Sequence, residues 1–384
     1  MPVLALYEGI QPRYPMGGSG PEGSGEPQGG APVGQAVSGS PRMQTGSEAG
    51  ESWQTVSVSL SQIGCVPRLM DGMERHQART DDAGEVHQRL RPLLLSIAYR
   101  MIGSVAEAED VVQEAFLRWQ RALADGTEVE SPKAYLAAVT TRLSIDHLRA
   151  ARTRRESYVG PWLPEPLVAE TEADVERHAE MADSLSMAFL VLLESLGPVE
   201  RAVFLLREVF EYGYDEIAQI VDKSEANCRQ IFNRARRHIE TGTPRFEAST
   251  RERDELARRF LAACERGDLD GLLELLTADV VFVGDGGGKG QAFKEPISGR
   301  DRVARMLLGL FARAARLGAR VRPVMVNGQP GALGLDAEGR LINVISLDII
   351  GGQVQAIRSV VNPDKLGHLG PLSDVARLPD DPRR

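Results

Sequence analysis

The apolar residues of this chain repeat with a helical period up to about residue 240 and with a strand period beyond about residue 280, and that switch bounds the fold. Leu90, Leu93, Leu94, Ile97, Ala98, Met101 and Ile102 follow i, i+3, i+4, i+7 spacing, so the stretch from Gln88 predicts a helix with one buried stripe. Gly103-Ser104 breaks it, and Ser104 suits the cap of a second helix running from Val105 to about Trp119. Pro132 suits the first turn of a third, which continues to about Arg154 with Tyr135, Leu136, Val139, Leu143, Ile145 and Leu148 as its expected buried face. A linker over 157–182, first Pro-containing and then acidic, precedes a second helical block at 183–242. A helix over Glu252–Glu265 opens a last domain at 249–370. There the period turns to two along Val280–Val283, Arg320–Val326, Leu341–Ile350 and Val354–Val361. The expected fold class is multidomain: two all-α modules, the second a helix-turn-helix, then an α+β domain with a mainly antiparallel sheet.

Composition narrows the setting. Residues 1–85 are dominated by Gly, Ser, Pro and Gln and hold no lasting period, which predicts a disordered tail; Val56–Leu60 alternates only briefly, and Met73 is a candidate translation start. The segment 371–384 reads as a frayed end. No run of about 18 apolar residues exists, so no membrane span is expected. Three cysteines, Cys65, Cys228 and Cys264, are far apart and lack ligand spacing, which reads as reduced thiols in the cytoplasm with no metal site. The net charge of −9 does not favour nucleic acid overall, but Arg-rich and acidic stretches alternate, so local patches still suit phosphates.

In the second helix Val111, Val112, Ala115, Phe116 and Trp119 point inward, while Glu107, Asp110 and Glu114 share an outward face. Such a face is either plain solvated surface or a dock for a basic partner. The run "AEDVVQEAFLRW" resembles the second region of sigma-70-type factors, whose corresponding helix binds a coiled coil of the largest core RNA polymerase subunit. The resemblance implies core-polymerase contact or support at Glu107, Asp110, Gln113, Glu114 and Phe116.

In the third helix, arginines gather toward the C-terminal half, where they suit either the helix dipole or phosphates. "IDHLRAAR" resembles the sigma segment that opens the −10 promoter element and captures a flipped base. That implies −10 contacts from Arg142, Asp146, His147, Arg149, Arg152 and Arg155, with Arg142 standing where many members carry Asn.

Further on, Tyr214–Val221, a turn at Asp222-Lys223-Ser224 and a helix from Glu225 make a helix-turn-helix whose last helix exposes Asn, Gln and Arg. The alternative is an ordinary helical hairpin. It resembles sigma region 4, which binds the −35 element, and implies contacts from Ser224, Asn227, Arg229, Gln230, Asn233, Arg234 and Arg237. The two modules in this order, with a linker between, resemble the extracytoplasmic-function subgroup.

The region from about Thr250 to Leu369 resembles a SnoaL-like domain of the NTF2-like superfamily, a cone of helices on a curved sheet. Three short motifs stand out. They are Trp162, Leu163, Pro164, Glu165 and Pro166 in the linker, then Asp285, Gly286, Gly287, Gly288 and Lys289, then Asn362, Pro363, Asp364, Lys365 and Leu366. Taken alone they read as a stiff spacer, a tight turn and a closing turn. Together they resemble sigma factors with a fused SnoaL-like domain, which implies that the linker motif docks on that domain and that it replaces an obligatory separate anti-sigma factor. No cofactor is expected. The expected partners are core RNA polymerase, through its largest and second-largest subunits, and promoter DNA, with no membrane contact; the expected location is the cytoplasm, in association with the nucleoid. Asp279, Asp285 and Asp336 could line a catalytic cone, but a single histidine, His368, accompanies them, so no enzyme is expected. A helix-turn-helix regulator controlled by a ligand in the last domain is the other reading.

Overall fold

The structure is a computed structural model and describes residues 83–155, 158–169, 186–242 and 250–374; the tail at 1–82, Met73 and the acidic linker half at 170–185 lie outside the described residues. Helix α1 spans Ala83–Ile102, α2 Val105–Ala124 and α3 Pro132–Arg155. Four further helices follow: α4 (Met187–Leu193), α5 (Pro198–Glu208), α6 (Tyr214–Val221) and α7 (Glu225–Gly242). The last part holds α8 (Thr250–Arg266), α9 (Leu269–Leu275) and α10 (Arg300–Arg316), a sheet, and a one-turn helix α11 (Pro363–Leu366).

Local chemistry explains the helix boundaries. Gly103 sits at φ +77° and its amide donates to Tyr99 O at 2.7 Å, which ends α1 with a left-handed residue that satisfies an orphan carbonyl. Ser104 Oγ accepts the Glu107 amide and starts α2. The carboxylates of Glu200 and Glu216 accept the amides of Gly197 and Gly213, one residue ahead of α5 and α6.

The apolar faces of α1, α2 and α3 form one continuous cluster with those of α4 to α7. Most of the expected buried stripe is there, from Leu90 to Trp119. On α3 the expectation needs correcting. Val139 and Leu143 are half-buried, whereas Thr140, Thr141 and Ser144 are fully buried. In α7 Ala226 is exposed rather than buried. Phe232 is buried instead and stacks on Phe204 with ring centroids 6.1 Å apart.

Among the described residues the sheet has seven strands, in the order β1-β4-β5-β6-β7-β2-β3. They are β1 (Val168–Ala169), β2 (Leu276–Asp285), β3 (Ile297–Ser298), β4 (Arg320–Val326), β5 (Gln329–Leu335), β6 (Leu341–Ile350) and β7 (Gln353–Val360). Only β2 and β7 pair in parallel; every other neighbouring pair is antiparallel. One face carries Ile345, Leu347, Ile349 and Ile357 against α8, α9 and α10. The other carries Val326, Leu333, Val344 and Val360 against Leu163, Leu366 and Val191. The edge strand β1 comes from the linker: Val168 and Ala169 pair with Val326 and Met325. So the linker is built into the sheet of the last domain.

Candidate functional site

Every residue from Trp162 to Leu167 is held from outside the linker. Asp285, at the end of β2 and fully buried, is one anchor. Its Oδ2 accepts the Leu163 amide at 2.7 Å and Lys365 Nζ at 2.7 Å, and its Oδ1 accepts the Tyr158 hydroxyl at 2.5 Å. Its main-chain oxygen accepts the amides of Val361 and Asn362. Lys365 also donates to Leu163 O and lies 4.1 Å from the Trp162 ring centroid and 5.1 Å from that of Tyr158. A buried ammonium needs this surrounding: one carboxylate, one carbonyl and two aromatic faces replace its water. Burial and the adjacent Asp285 push the Tyr158 phenol well above its ordinary range, so it stays a donor.

Glycine makes room for the second motif. Gly286 O accepts the amides of Lys289 and Gly290, which folds 286–290 into a turn. Gly287 has φ +57°, and a Cβ there would overlap Asn362 Nδ2, which donates to the Tyr158 hydroxyl at 2.9 Å. Asn362 Oδ1 caps α11 through the Asp364 amide, Pro363 takes the first helical position, and Leu366 is buried. Lys289 and Asp364 pair at 2.6 Å on the surface.

The other anchor is Glu165, which reaches α2. Its backbone amide donates to Gly103 O at 2.8 Å. Its Oε1 accepts the Ser104 hydroxyl at 2.7 Å and its Oε2 accepts the Val105 amide at 2.7 Å. Ser104 Oγ accepts from Glu107 and donates to Glu165 at once, as a hydroxyl can. A carboxylate on these first amides also complements the positive end of the helix dipole. Above it, the Tyr99 hydroxyl donates to Glu165 O at 2.6 Å and accepts from Asn327 Nδ2 at 2.9 Å. Asn327 lies in the β4–β5 turn at φ +51°, and its backbone and side chain bracket Leu167. His368 Nε2 lies 3.1 Å from Pro166 O. Trp162 and Pro164 lie over Gly103, where an added Cβ would come within 2.7 Å of the Trp162 ring.

Family models match for Sigma-70 region 2 over residues 86–154, for Sigma-70, region 4 over 186–239, and for a SnoaL-like domain over 257–361. The chain is 37% identical over 289 residues to the ECF RNA polymerase sigma factor SigJ of Mycobacterium tuberculosis, a match that covers 72% of this chain and 91% of SigJ. The chain belongs to the extracytoplasmic-function (ECF) RNA polymerase sigma factors. It is also 34% identical over 282 residues to the probable ECF RNA polymerase sigma factor SigI of the same species, covering 73% of this chain and 93% of that one. The crystal structure of M. tuberculosis SigJ matches the sigma factor's structure with a TM-score of 0.61 at 35% identity, covering 76% of this chain and 100% of that one.

The residues read from sequence fall into four groups on this ECF sigma factor. On α2, Asp110 and Gln113 are exposed, Glu107 and Glu114 half-buried, and Phe116 is buried, so it supports the face from below. Hydrogen bonding from Arg118 lowers the Glu114 pKa. Glu107 lies 3.0 Å from His147 of α3. Along α3, Asp146 and Arg149 are exposed and pair with each other at 3.2 Å. Arg142 is exposed but bonds to main-chain carbonyls of α6. The side chains of Arg152 and Arg155 lie outside the described residues. On α7, Ser224 Oγ accepts the Asn227 amide, and Asn227, Gln230 and Asn233 are exposed. Arg229 pairs with Glu225 and stacks on Tyr214, Arg234 pairs with Glu200, and Arg237 donates to Asn233 O. The three short motifs are brought together around Asp285. Tyr99, Tyr158 and Asn327, which join them, were not singled out from sequence, and Ser104 was read there only as the cap of α2. The pair Asn327-Gly328 carries only the local signal of a hairpin turn. Among the described residues, no helix is long and apolar enough to cross a membrane.

Proposed function

We propose that this sigma factor docks on the largest and second-largest subunits of core RNA polymerase, with the acidic face of α2 as its main contact. In the same reading α3 meets the −10 element, α7 meets the −35 element, and the fused SnoaL-like domain regulates initiation through the linker, with no obligatory separate anti-sigma factor and no catalysis. One observation carries the regulatory part. Glu165 caps the first turn of α2, while Leu163, two residues earlier, is pinned to Asp285 and Lys365. A shift of the last domain is therefore felt at the start of the docking helix. The basic, amide-bearing face of α7 suits base edges and phosphates, as a recognition helix requires.

The test is transcription with core polymerase from a promoter selected by the wild-type chain, using Glu165→Gln, Asp285→Asn and the double variant. Both single variants are expected to change output severalfold, and the double variant to change it no further, because the two residues act on one path. Independent, additive effects would show that Asp285 does not work through the linker. A parallel arm uses Asp110→Arg with Glu114→Arg, expected to lose core-polymerase binding at least tenfold; undiminished binding would refute the docking face.

A further inference from the structure

The helix assigned to the −10 element packs on the helix-turn-helix assigned to the −35 element through a shared apolar cluster, and at its edge an exposed side chain bonds across the contact. Arg142, halfway along α3, donates from Nε to Ile220 O at 2.9 Å and from Nη2 to Gln219 O at 2.7 Å. Both carbonyls belong to the last turn of α6, where no helical amide follows to take them and where a cation is favoured. Directly beyond them Asp222, at φ +53°, turns the chain into α7. Arg142 thus grips the pivot of the helix-turn-helix. A second arginine makes the reciprocal contact: Arg201 of α5, buried, donates at 2.6 Å to Met101 O in the last turn of α1.

This arrangement is incompatible with a promoter that is fully engaged. Elements centred near −10 and −35 lie about 25 base pairs apart, which is roughly 85 Å at about 3.4 Å per pair. A side chain of α3 cannot stay inside the last turn of α6 across that distance. We propose that Arg142 is a latch. In the free chain it holds α6 against α3 and is itself withheld from DNA; polymerase and promoter engagement break the contact, so release of the −35 reader and delivery of Arg142 to the −10 element are one event. The proposal rests on the reading of α3 and α7 given above. Arg142 is the residue to test because it is exposed and its loss leaves the cluster beneath intact, whereas Arg201 is part of the buried interface.

The experiment measures equilibrium association of the full chain with core RNA polymerase in the absence of DNA, for wild type, Arg142→Ala and Arg142→Lys. Hydrogen exchange of α6 in the free chain is followed alongside. Two charge-assisted bonds at an exposed site set the closed-to-open ratio by roughly tenfold. Arg142→Ala is therefore expected to speed exchange of α6 by up to that factor and to tighten core association in proportion. Arg142→Lys, with a point charge and no fork, falls between the two. Unchanged exchange and unchanged core affinity in Arg142→Ala would mean that Arg142 serves DNA alone, and the latch would be wrong. Faster exchange without tighter core binding would reject the coupling and leave only a structural contact. Failure of the wild-type chain to bind core polymerase would instead refute the function reading on which the coupling stands.

Discussion

At the scale of single residues the junction turns on a buried ion pair inside an aromatic pocket. Asp285 and Lys365 cannot be separated cheaply, because removing one partner leaves the other charge buried, a cost of about 3–5 kcal/mol. Asp285→Asn keeps the shape and can still accept the Leu163 amide, but its NH2 cannot accept the Tyr158 hydroxyl, so its expected effect is the charge together with that one hydrogen bond. The full chain should lose roughly 3 kcal/mol at the junction, read as faster proteolysis after Tyr158 or Trp162. Adding Lys365→Met should recover most of that loss, since an uncharged pair no longer needs the carboxylate. A double variant as weak as Asp285→Asn would mean that the pair does not act as a unit. These residues were legible only through resemblance: taken alone their segments read as turns, and the three motifs together resemble sigma factors with a fused SnoaL-like domain. Tyr99 and Asn327 were not legible, and Ser104 was legible only as a helix cap, for a physical reason. Each satisfies a local rule completely, as helix cap, core aromatic or turn residue, and its second hydrogen bond runs to a segment 61 to 228 positions away.

At the scale of elements, the helical half was read well because a 3.6-residue apolar stripe survives any tertiary context. The sheet was read less well. Strand β5, Gln329–Leu335, has the sequence QPGALGL, whose Pro and two Gly residues give it the composition of a loop. Helix α10 was not marked, although Val303, Met306, Leu307 and Leu310 carry its period. The buried face of α3 was legible in part: Leu136, Ile145 and Leu148 are buried as expected, but Thr140, Thr141 and Ser144, which a hydropathy pattern places outside, are buried beside them. The end of α1 offers the sharpest test at this scale. In Gly103→Ala the left-handed φ costs about 1–2 kcal/mol by itself, and the new methyl would also press on the Trp162 ring. Thermal unfolding of residues 83–155 within the full chain is expected to fall by more than that conformational term, because Trp162 must leave Lys365. In a chain that ends after Glu240, where Lys365 is gone, the same substitution should cost only the conformational term. Equal losses in the two backgrounds would show that Trp162 is not held against Gly103.

At the scale of the whole molecule, the linker belongs to two partners at once: Glu165 finishes α2 and β1 lengthens the sheet of the SnoaL-like domain. That domain supplies Asp285, Lys365, Asn327 and His368 to a six-residue stretch, so truncation after Glu240 removes four separate holds in one step. Leu163 would then face water with its amide unpaired, and the hydroxyl of Tyr99 would lose the Asn327 amide. The expected result is local release rather than collapse, because the cluster shared by α1 to α7 contains none of the removed residues. Amides of Leu163 and Val105 should lose at least about tenfold of their protection against hydrogen exchange while those in the middle of α1 and α5 keep theirs. Promoter-dependent transcription should change in the same chain, by at least the severalfold shift expected of Asp285→Asn. If exchange at Val105 rises and transcription does not move, the clamp is structural only. If neither moves, Glu165 holds α2 without help from the last domain, and the regulator has to act elsewhere.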